Sequence, residues 1–165
     1  MFFIVDLHRN VCIKPGQLGP NFEQHVADTL RSDIEGRCIS KYGYIVCVVR
    51  LLEREKGRVQ DGSGNIIVPV KCQAVAFQPV KEEVMDGVIV SVNSMGFFAQ
   101  CGPIKAFVTA SNLSGDYKQH NGVWTDGSTR LGVDQDVRIR ILGYKYETNG
   151  MTAVAQMDQD FLGPP

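Results

Sequence analysis

Arg138 and Arg140 alternate with Val137, Ile139 and Ile141. In an extended strand that spacing puts both guanidinium groups on one face and the branched aliphatics on the other. Lys145 and Tyr146 lie just beyond. Planar cations beside an aromatic ring suit a single-stranded nucleic acid, whose splayed bases stack on rings while its phosphates meet the charge. The same residues also describe an ordinary solvated strand face, and spacing alone leaves both readings open.

Other reactive side chains do not form a constellation. His8, His25 and His120 are far apart, and none has a Cys, Ser or carboxylate at a recognised catalytic spacing. Neither Gly-x-Ser-x-Gly nor His-Glu-x-x-His occurs, so no catalytic residue, metal or cofactor is expected. Gly62-Ser63-Gly64 would need a strand before it and a helix after it to act as a phosphate loop, and no such order is present. The five cysteines, Cys12, Cys38, Cys47, Cys72 and Cys101, are too widely spaced for a zinc knuckle or a redox dithiol. Their odd number, and the apolar or alternating runs around four of them, point to buried, unpaired thiols in a reducing compartment. The apolar start stops at Asp6 and His8-Arg9, too soon for a signal peptide or a membrane span. The expectation is a soluble intracellular protein with no membrane partner.

The elements holding these residues should be short. Seventeen Gly and seven Pro among 165 residues favour strands and turns over long helices. Only one segment has a helical period: Phe22, Val26, Leu30 and Ile34 form an apolar stripe. That helix should begin near Gly19-Pro20, with Pro20 in its first turn, and stop at Gly36. Residues 2–7 read as a strand before it. Residues 44–49, a continuous apolar run, read as a buried central strand. Residues 53–58 are a solvated loop or strand end, residues 61–65 a tight turn, and residues 68–77 an alternating strand stopped by Pro79.

Beyond that point every segment is strand or turn. Residues 84–93 alternate, with Val88, Val90 and Val92 on one face. Strands follow at 96–100, 104–108 and 137–141, and Asn149-Gly150 signals a hairpin joining 144–147 to 152–156. Residues 111–132 read as a long polar loop whose only tryptophan, Trp124, is either its anchor or a contact for a partner or RNA. Five short strands and one long loop is the count of an OB barrel, although periodicity does not separate it from other small barrels.

The expected domains are therefore 1–79 and 80–165. Ten Lys and Arg face eight Asp and Glu in the first, and seven face ten in the second, within a formal net charge of −1. A protein that grips duplex nucleic acid through phosphates alone is strongly basic, and this composition excludes that class. It leaves room for a weak, local, salt-sensitive contact.

Three stretches of the second domain carry a family resemblance. Residues 87–98 end in Met95-Gly96-Phe97-Phe98, residues 106–113 read Ala-Phe-Val-Thr-Ala-Ser-Asn-Leu, and residues 132–141 end in Val137-Arg138-Ile139-Arg140-Ile141. In that order they resemble the RNA-binding OB domain named after ribosomal protein S-one. Further stretches extend the likeness: Met1-Phe2-Phe3-Ile4, Gly19-Pro20, Gly36, residues 41–48, Asp61-Gly62-Ser63, residues 75–79, residues 84–88, residues 101–108 and Asp160-Phe161-Leu162-Gly163. Over essentially its whole length the chain resembles the stalk-subunit family of RNA polymerases, in particular the seventh-subunit branch of polymerase II. Archaeal and polymerase I and III paralogues share that architecture.

The resemblance implies an α+β chain: an N-terminal, truncated ribonucleoprotein-like tip domain followed by a five-stranded OB barrel of the ribosomal S-one type. It implies a non-catalytic, nuclear polymerase subunit, paired with the fourth subunit as a stalk, docked on the polymerase core and meeting nascent single-stranded RNA. No Lys/Arg run supplies a nuclear address, so import would depend on a partner. Leu18, Gly19, Pro20, Val59, Gly62, Ser63 and Gly64, otherwise simple turn residues, would lie at the docking tip, where small and apolar groups exclude water. Phe98 would lie on the RNA face beside Arg138, Arg140, Lys145 and Tyr146, with Phe97 in the core. Met95 and Thr109 stand where the S-one family commonly has an aromatic and a His, so affinity should be weak and lean on charge. The alternatives are a free-standing OB RNA-binding factor, which has no need of the first 79 residues, an enzyme with an OB substrate domain, and the equivalent subunit of a paralogous polymerase.

Overall fold

The computed structural model describes residues 1–114, 117–147 and 150–165. Contacts divide the chain into Met1–Gln78 and Pro79–Pro165. The first unit runs β1 (Phe2–Ile13), a 3-10 turn (Pro15–Gln17), α1 (Phe22–Ile34), β2 (Cys38–Ile39), β3 (Gly43–Arg54), β4 (Arg58–Val59) and β5 (Ile66–Phe77). The second runs β6 (Val84–Asn93), β7 (Gly96–Cys101), β8 (Ile104–Leu113), β9 (Lys118–His120), β10 (Val123–Thr125), β11 (Arg130–Leu131), β12 (Asp136–Glu147) and β13 (Gly150–Met157).

Helix α1 buries Val26, Leu30 and Ile34 against Leu7, Val11, Val48, Val68 and Val70. Beneath it β5 presents Cys72, Ala74 and Ala76, small side chains that are fully buried. Phe22 is half-buried, completing the stripe. The helix starts later than its periodicity suggests. Asn21 is the N-cap, and the Phe22 N–H donates to the Gly19 carbonyl at 3.1 Å, so Pro20 lies in a turn outside the helix. At the other end Gly36 takes φ +76°, and its N–H donates to Ile45 O at 2.8 Å, fastening the helix exit to β3.

The sheet order is β1-β5-β3-β2, with β4 also pairing β5. Strand β3 is interior, between β5 and the two-residue β2, but its apolar run is only partly buried. Strand β3 meets β5 with three register shifts, between Ile45/Cys47, Val48/Arg50 and Leu51/Glu53. Each inserts an extra residue into the ladder. Val46 and Val49 are such extras, and they are 38% and 50% exposed. Strand β1 is longer than its apolar start. It pairs with β5 without a break from Phe2↔Phe77 to Ile13↔Ile66. Its polar residues Asp6, His8 and Asn10 take the outward alternate positions, where they cost nothing.

The second unit closes as a barrel in the order β12-β13-β8-β7-β6. Only β13 and β8 are parallel. Ile89, Phe97, Ala99, Ile104, Ala106, Val108, Ile139, Ile141 and Ala155 fill it, all at 0% exposure. The expected shared face of Val88, Val90 and Val92 does not form. The register shifts between Ile89 and Ser91, so Val88 and Val90 point outward while Val92 pairs with buried Phe97.

Residues 111–132 also differ from the expected loop. Ser111 belongs to β8, and β9, β10 and β11 form a three-stranded sheet. Trp124 is its anchor: the ring is buried, and Nε1 donates to Asn93 O at 3.2 Å and Gly96 O at 3.4 Å. Asp126 Oδ1 accepts from the amides of Ser128 (2.9 Å) and Thr129 (2.6 Å), and these bonds hold its carboxyl below the usual carboxylate range. Of the expected Asn149-Gly150 turn, Asn149 lies outside the described residues. All five cysteines are free, but only Cys72 and Cys101 are buried. Cys12 and Cys47 are exposed at outward positions of β1 and β3, against the expectation of burial.

Gly96 opens β7 at φ +148°. A Cβ there would collide with the Val108 carbonyl oxygen and sit 3.0 Å from Thr109 Cα. Neither neighbour can move without opening the β7–β8 ladder. Gly96→Ala is expected to destabilise the barrel by about 3 kcal/mol. Thermal unfolding followed by the fluorescence of Trp124 checks this, because the indole rests on the same turn.

Candidate nucleic-acid and docking surfaces

Strand β12 buries Val137, Ile139 and Ile141 and turns Arg138 and Arg140 outward. Across the ladder Arg138 faces Asp86. Its Nε and Nη2 donate to Asp86 Oδ1 and Oδ2 at 2.6 and 3.1 Å, a bidentate pair. Through that bond the Asp86 carboxyl is held below the usual carboxylate range, and Arg138 is pushed up. Arg140 Nη1 lies 3.8 Å from Glu82 Oε2. Both arginines are therefore engaged by acids of β6 or of the segment before it. Arg138 and Asp86 are 52 residues apart, which hid this pairing from local reading.

A different surface gathers around Lys145. In register, Lys145 faces Thr152, Thr152 faces Lys105, and Lys105 faces Gln100. The neighbouring row is Gly143, Val154, Phe107, Phe98 and Ser91. Paired residues share a face, so both rows stand on the outside of the barrel. The rings of Phe98 and Phe107 are 4.6 Å apart at 36°. Both are half-buried, and Val154 is 45% exposed. The result is a shallow shelf of two rings and an aliphatic, bordered by two lysines. Among the described residues neither lysine forms an ion pair. Phe97, next to Phe98, is fully buried.

The shelf brings Phe98 and Lys145 together and adds Phe107 and Lys105, which the sequence reading did not single out. Their signal was available: Ile104, Ala106 and Val108 alternate inward, so Lys105 and Phe107 face out. Arg140 borders the shelf on its other side, since it faces Gln156, two residues from Val154 on β13. Arg138 lies one step farther, with Asp86. Tyr146 is separated from Lys145. It pairs with buried Met151 and takes the opposite side of β12, in an edge-on contact with Tyr144 at 5.7 Å. Thr109 follows Phe107 by one outward position, and its hydroxyl lies 3.0 Å from that of Ser111. Met95, in the β6–β7 turn, is 68% exposed.

The turn residues of the first unit collect at one end of its sheet. Ile13 and Val59 both pair with Ile66, so the segments that hold residues 14–20 and 60–65 leave the sheet together. A Cβ on Gly64 would lie 3.7 Å from Pro15 Cγ. The 60–65 turn is tight: Gln60 N–H donates to Asn65 O at 2.7 Å, and Ser63 Oγ donates to Gln60 Oε1 at 3.1 Å. Leu18 (50%) and Val59 (66%) are exposed at this end, beside Gly19, Pro20, Gly62 and Ser63.

Comparison with known proteins matches both units. The model described as "SHS2 domain found in N terminus of Rpb7p/Rpc25p/MJ0397" covers residues 8–64, and "S1 RNA binding domain" covers residues 78–152. Similar curated proteins include DNA-directed RNA polymerase II subunit RPB7 of Glycine max, 34% identical over 99% of this chain and 96% of that protein. The polymerase II subunit 7 of Arabidopsis thaliana is 33% identical with the same coverage, and RPB7 of Saccharomyces cerevisiae is 32% identical over 99% of both chains. With an SHS2 unit, an S-one barrel and this likeness along nearly the whole length, the chain belongs to the subunit 7 family of RNA polymerase II, a family of non-catalytic polymerase subunits.

Proposed function

We propose that this chain is the seventh subunit of RNA polymerase II itself, working in the nucleus. It pairs with the fourth subunit as the stalk, docks on the polymerase core through the end of the first unit, and offers the barrel shelf to emerging single-stranded RNA. One observation carries the reading: the likeness to the RPB7 proteins spans both units, 99% of this chain. A free-standing RNA-binding factor would account for the barrel alone.

The two surfaces use different physics. At the docking end, exposed Leu18 and Val59 lose water on contact, and the small residues around them let a partner's backbone approach closely. On the shelf, the packed pair Phe98 and Phe107 offers a stacking surface to a base, and Lys105 and Lys145 meet phosphates without base specificity. Affinity is modest, because the second domain is net acidic and two of its three arginines, Arg138 and Arg140, are held by Asp86 and Glu82. A transcript that must slide onward needs such a contact.

Three experiments test this. Replacing Phe98→Ala with Phe107→Ala should weaken binding of a single-stranded oligouridylate about 5- to 150-fold by fluorescence anisotropy, the equivalent of one stacked base at about 1–3 kcal/mol. Undiminished affinity would remove the shelf from the RNA path. Asp86→Asn releases Arg138 and should steepen the salt dependence of that binding, by about 0.7 in log–log slope for one added phosphate contact. Arg138→Ala with Arg140→Ala should flatten it, and identical slopes in all three proteins would exclude these arginines. Finally, cutting residues 61–65 to a two-residue turn should abolish co-purification with the polymerase core while the fourth subunit is retained. Recovery of the core with the shortened protein would refute the docking assignment.

A further inference from the structure

The three-stranded sheet between β8 and β12 is unused by the shelf, and it has two unlike faces. Gln119, Trp124 and Leu131 stand opposite one another across β9, β10 and β11, with Trp124 and Leu131 buried. On the other face Lys118 pairs with Thr125 and Thr125 with Arg130, while His120 pairs with Val123. Lys118, His120 and Arg130 are exposed. Among the described residues none of the three forms an ion pair, unlike Arg138 and Arg140. The acid of the β10–β11 turn, Asp126, already spends Oδ1 on the amides of Ser128 and Thr129 and on the Ser128 hydroxyl. Lys118 and Arg130 stand two strand spacings apart, about 10 Å at the backbone.

The location of this face gives it a direction. Trp124 fastens the small sheet to the carbonyls of Asn93 and Gly96. Gly96 faces Thr109, and two residues farther along β7 Phe98 faces Phe107. The small sheet is therefore anchored at the β6–β7 turn, one outward position along β7 beyond the Phe98–Phe107 rings and on the side away from Lys105. Its basic face offers no apolar anchor beyond half-buried Val123, so it lacks the dry centre that a protein partner needs. Phosphate contacts need only exposed cations.

We propose that Lys118 and Arg130, with His120 beside them, form a second phosphate-binding surface that takes the continuing backbone of the single-stranded RNA stacked on Phe98 and Phe107. This rests on the shelf reading above. The three-stranded sheet thereby lengthens the footprint of the barrel, and Trp124 sets its angle to the shelf.

The test is fluorescence anisotropy on the full chain with labelled oligouridylates of about 4 and about 16 nucleotides, the span of lengths that OB domains bind. Lys118→Gln with Arg130→Gln should leave the short oligomer unaffected and weaken the long one. Losing two phosphate contacts should lower the salt slope for the long oligomer by about 1.4, so that between 50 and 200 mM salt the wild type loses about sevenfold more affinity than the variant. Lys118→Arg with Arg130→Lys should restore the slope, and an unchanged melting temperature should accompany all of these surface exchanges. An unaltered slope in the Gln variant, with binding still weakened by Phe98→Ala and Phe107→Ala, overturns the second surface and leaves the shelf standing. Loss in the Gln variant alone, with the Phe variant binding normally, supports the basic face and overturns the shelf. Failure of the wild type to bind either oligomer overturns both. Loss of a co-purifying protein by the Gln variant, with RNA binding intact, would mark the face as a protein contact and overturn the proposal.

Discussion

The parallel pairing of β13 with β8 is the constraint on which the barrel surface depends. It sets Thr152 beside Lys105 and Val154 beside Phe107. Without it, β7 and β8 would offer two rings and one lysine on a hairpin, and Lys145 would belong to a separate edge. Closure makes one surface from residues that lie between 98 and 154 in the chain. It also fixes which side of each strand faces water, because paired residues share a face and a one-residue slip would exchange Phe107 for Val108. The barrel interior enforces the register: Ala106, Val108, Ala153 and Ala155 are buried and small enough for the strands to lie close.

Charge on this surface is arranged rather than abundant. Asp86 and Glu82 hold Arg138 and Arg140, whereas Lys105 and Lys145 have no such acids, and neither do the cations of the three-stranded sheet among the described residues. A bidentate pair at the surface contributes little to stability. Together with the looser Arg140–Glu82 contact, its effect is to keep two guanidinium groups from easy reach of a polyanion. Under the proposed function, binding then comes from stacked rings and flexible lysines, which discriminate poorly among sequences and let go readily. Such a surface would suit the proposed role, contact with a transcript of any sequence.

How much of this was legible in the sequence depends on the range of the interaction concerned. The α1 stripe of Val26, Leu30 and Ile34, the alternation of β5 and the two faces of β12 are local periodicities, and each appears in the structure. Failures follow from register. The bulges that expose Val46 and Val49, and the one that turns Val92 inward beside Phe97, arise when strands of unequal curvature pair, and an apolar run looks the same with or without them. Proximity in sequence sets Tyr146 beside Lys145, although adjacent strand residues take opposite sides. The Asp86–Arg138 pair joins distant segments. Strands β9 to β11 are only two or three residues long, too short for any period, and they exist because Trp124 and the Asp126 turn hold them.

Among the described residues, strand β1 has β5 on one side and nothing paired on the other. Its twelve residues run without a bulge, which leaves a row of unpaired backbone donors and acceptors along a straight edge. Such edges recruit other strands, and an apolar one would zip copies of the chain together. The Phe2-Phe3-Ile4-Val5 half of β1 invites this; Asp6, His8, Arg9 and Asn10 interrupt it. Charged and polar residues in mid-strand oppose edge-to-edge growth, because a second strand would have to desolvate them. The polar centre of β1 thus sets a desolvation cost against pairing between copies of the chain along an edge that neither proposed surface uses.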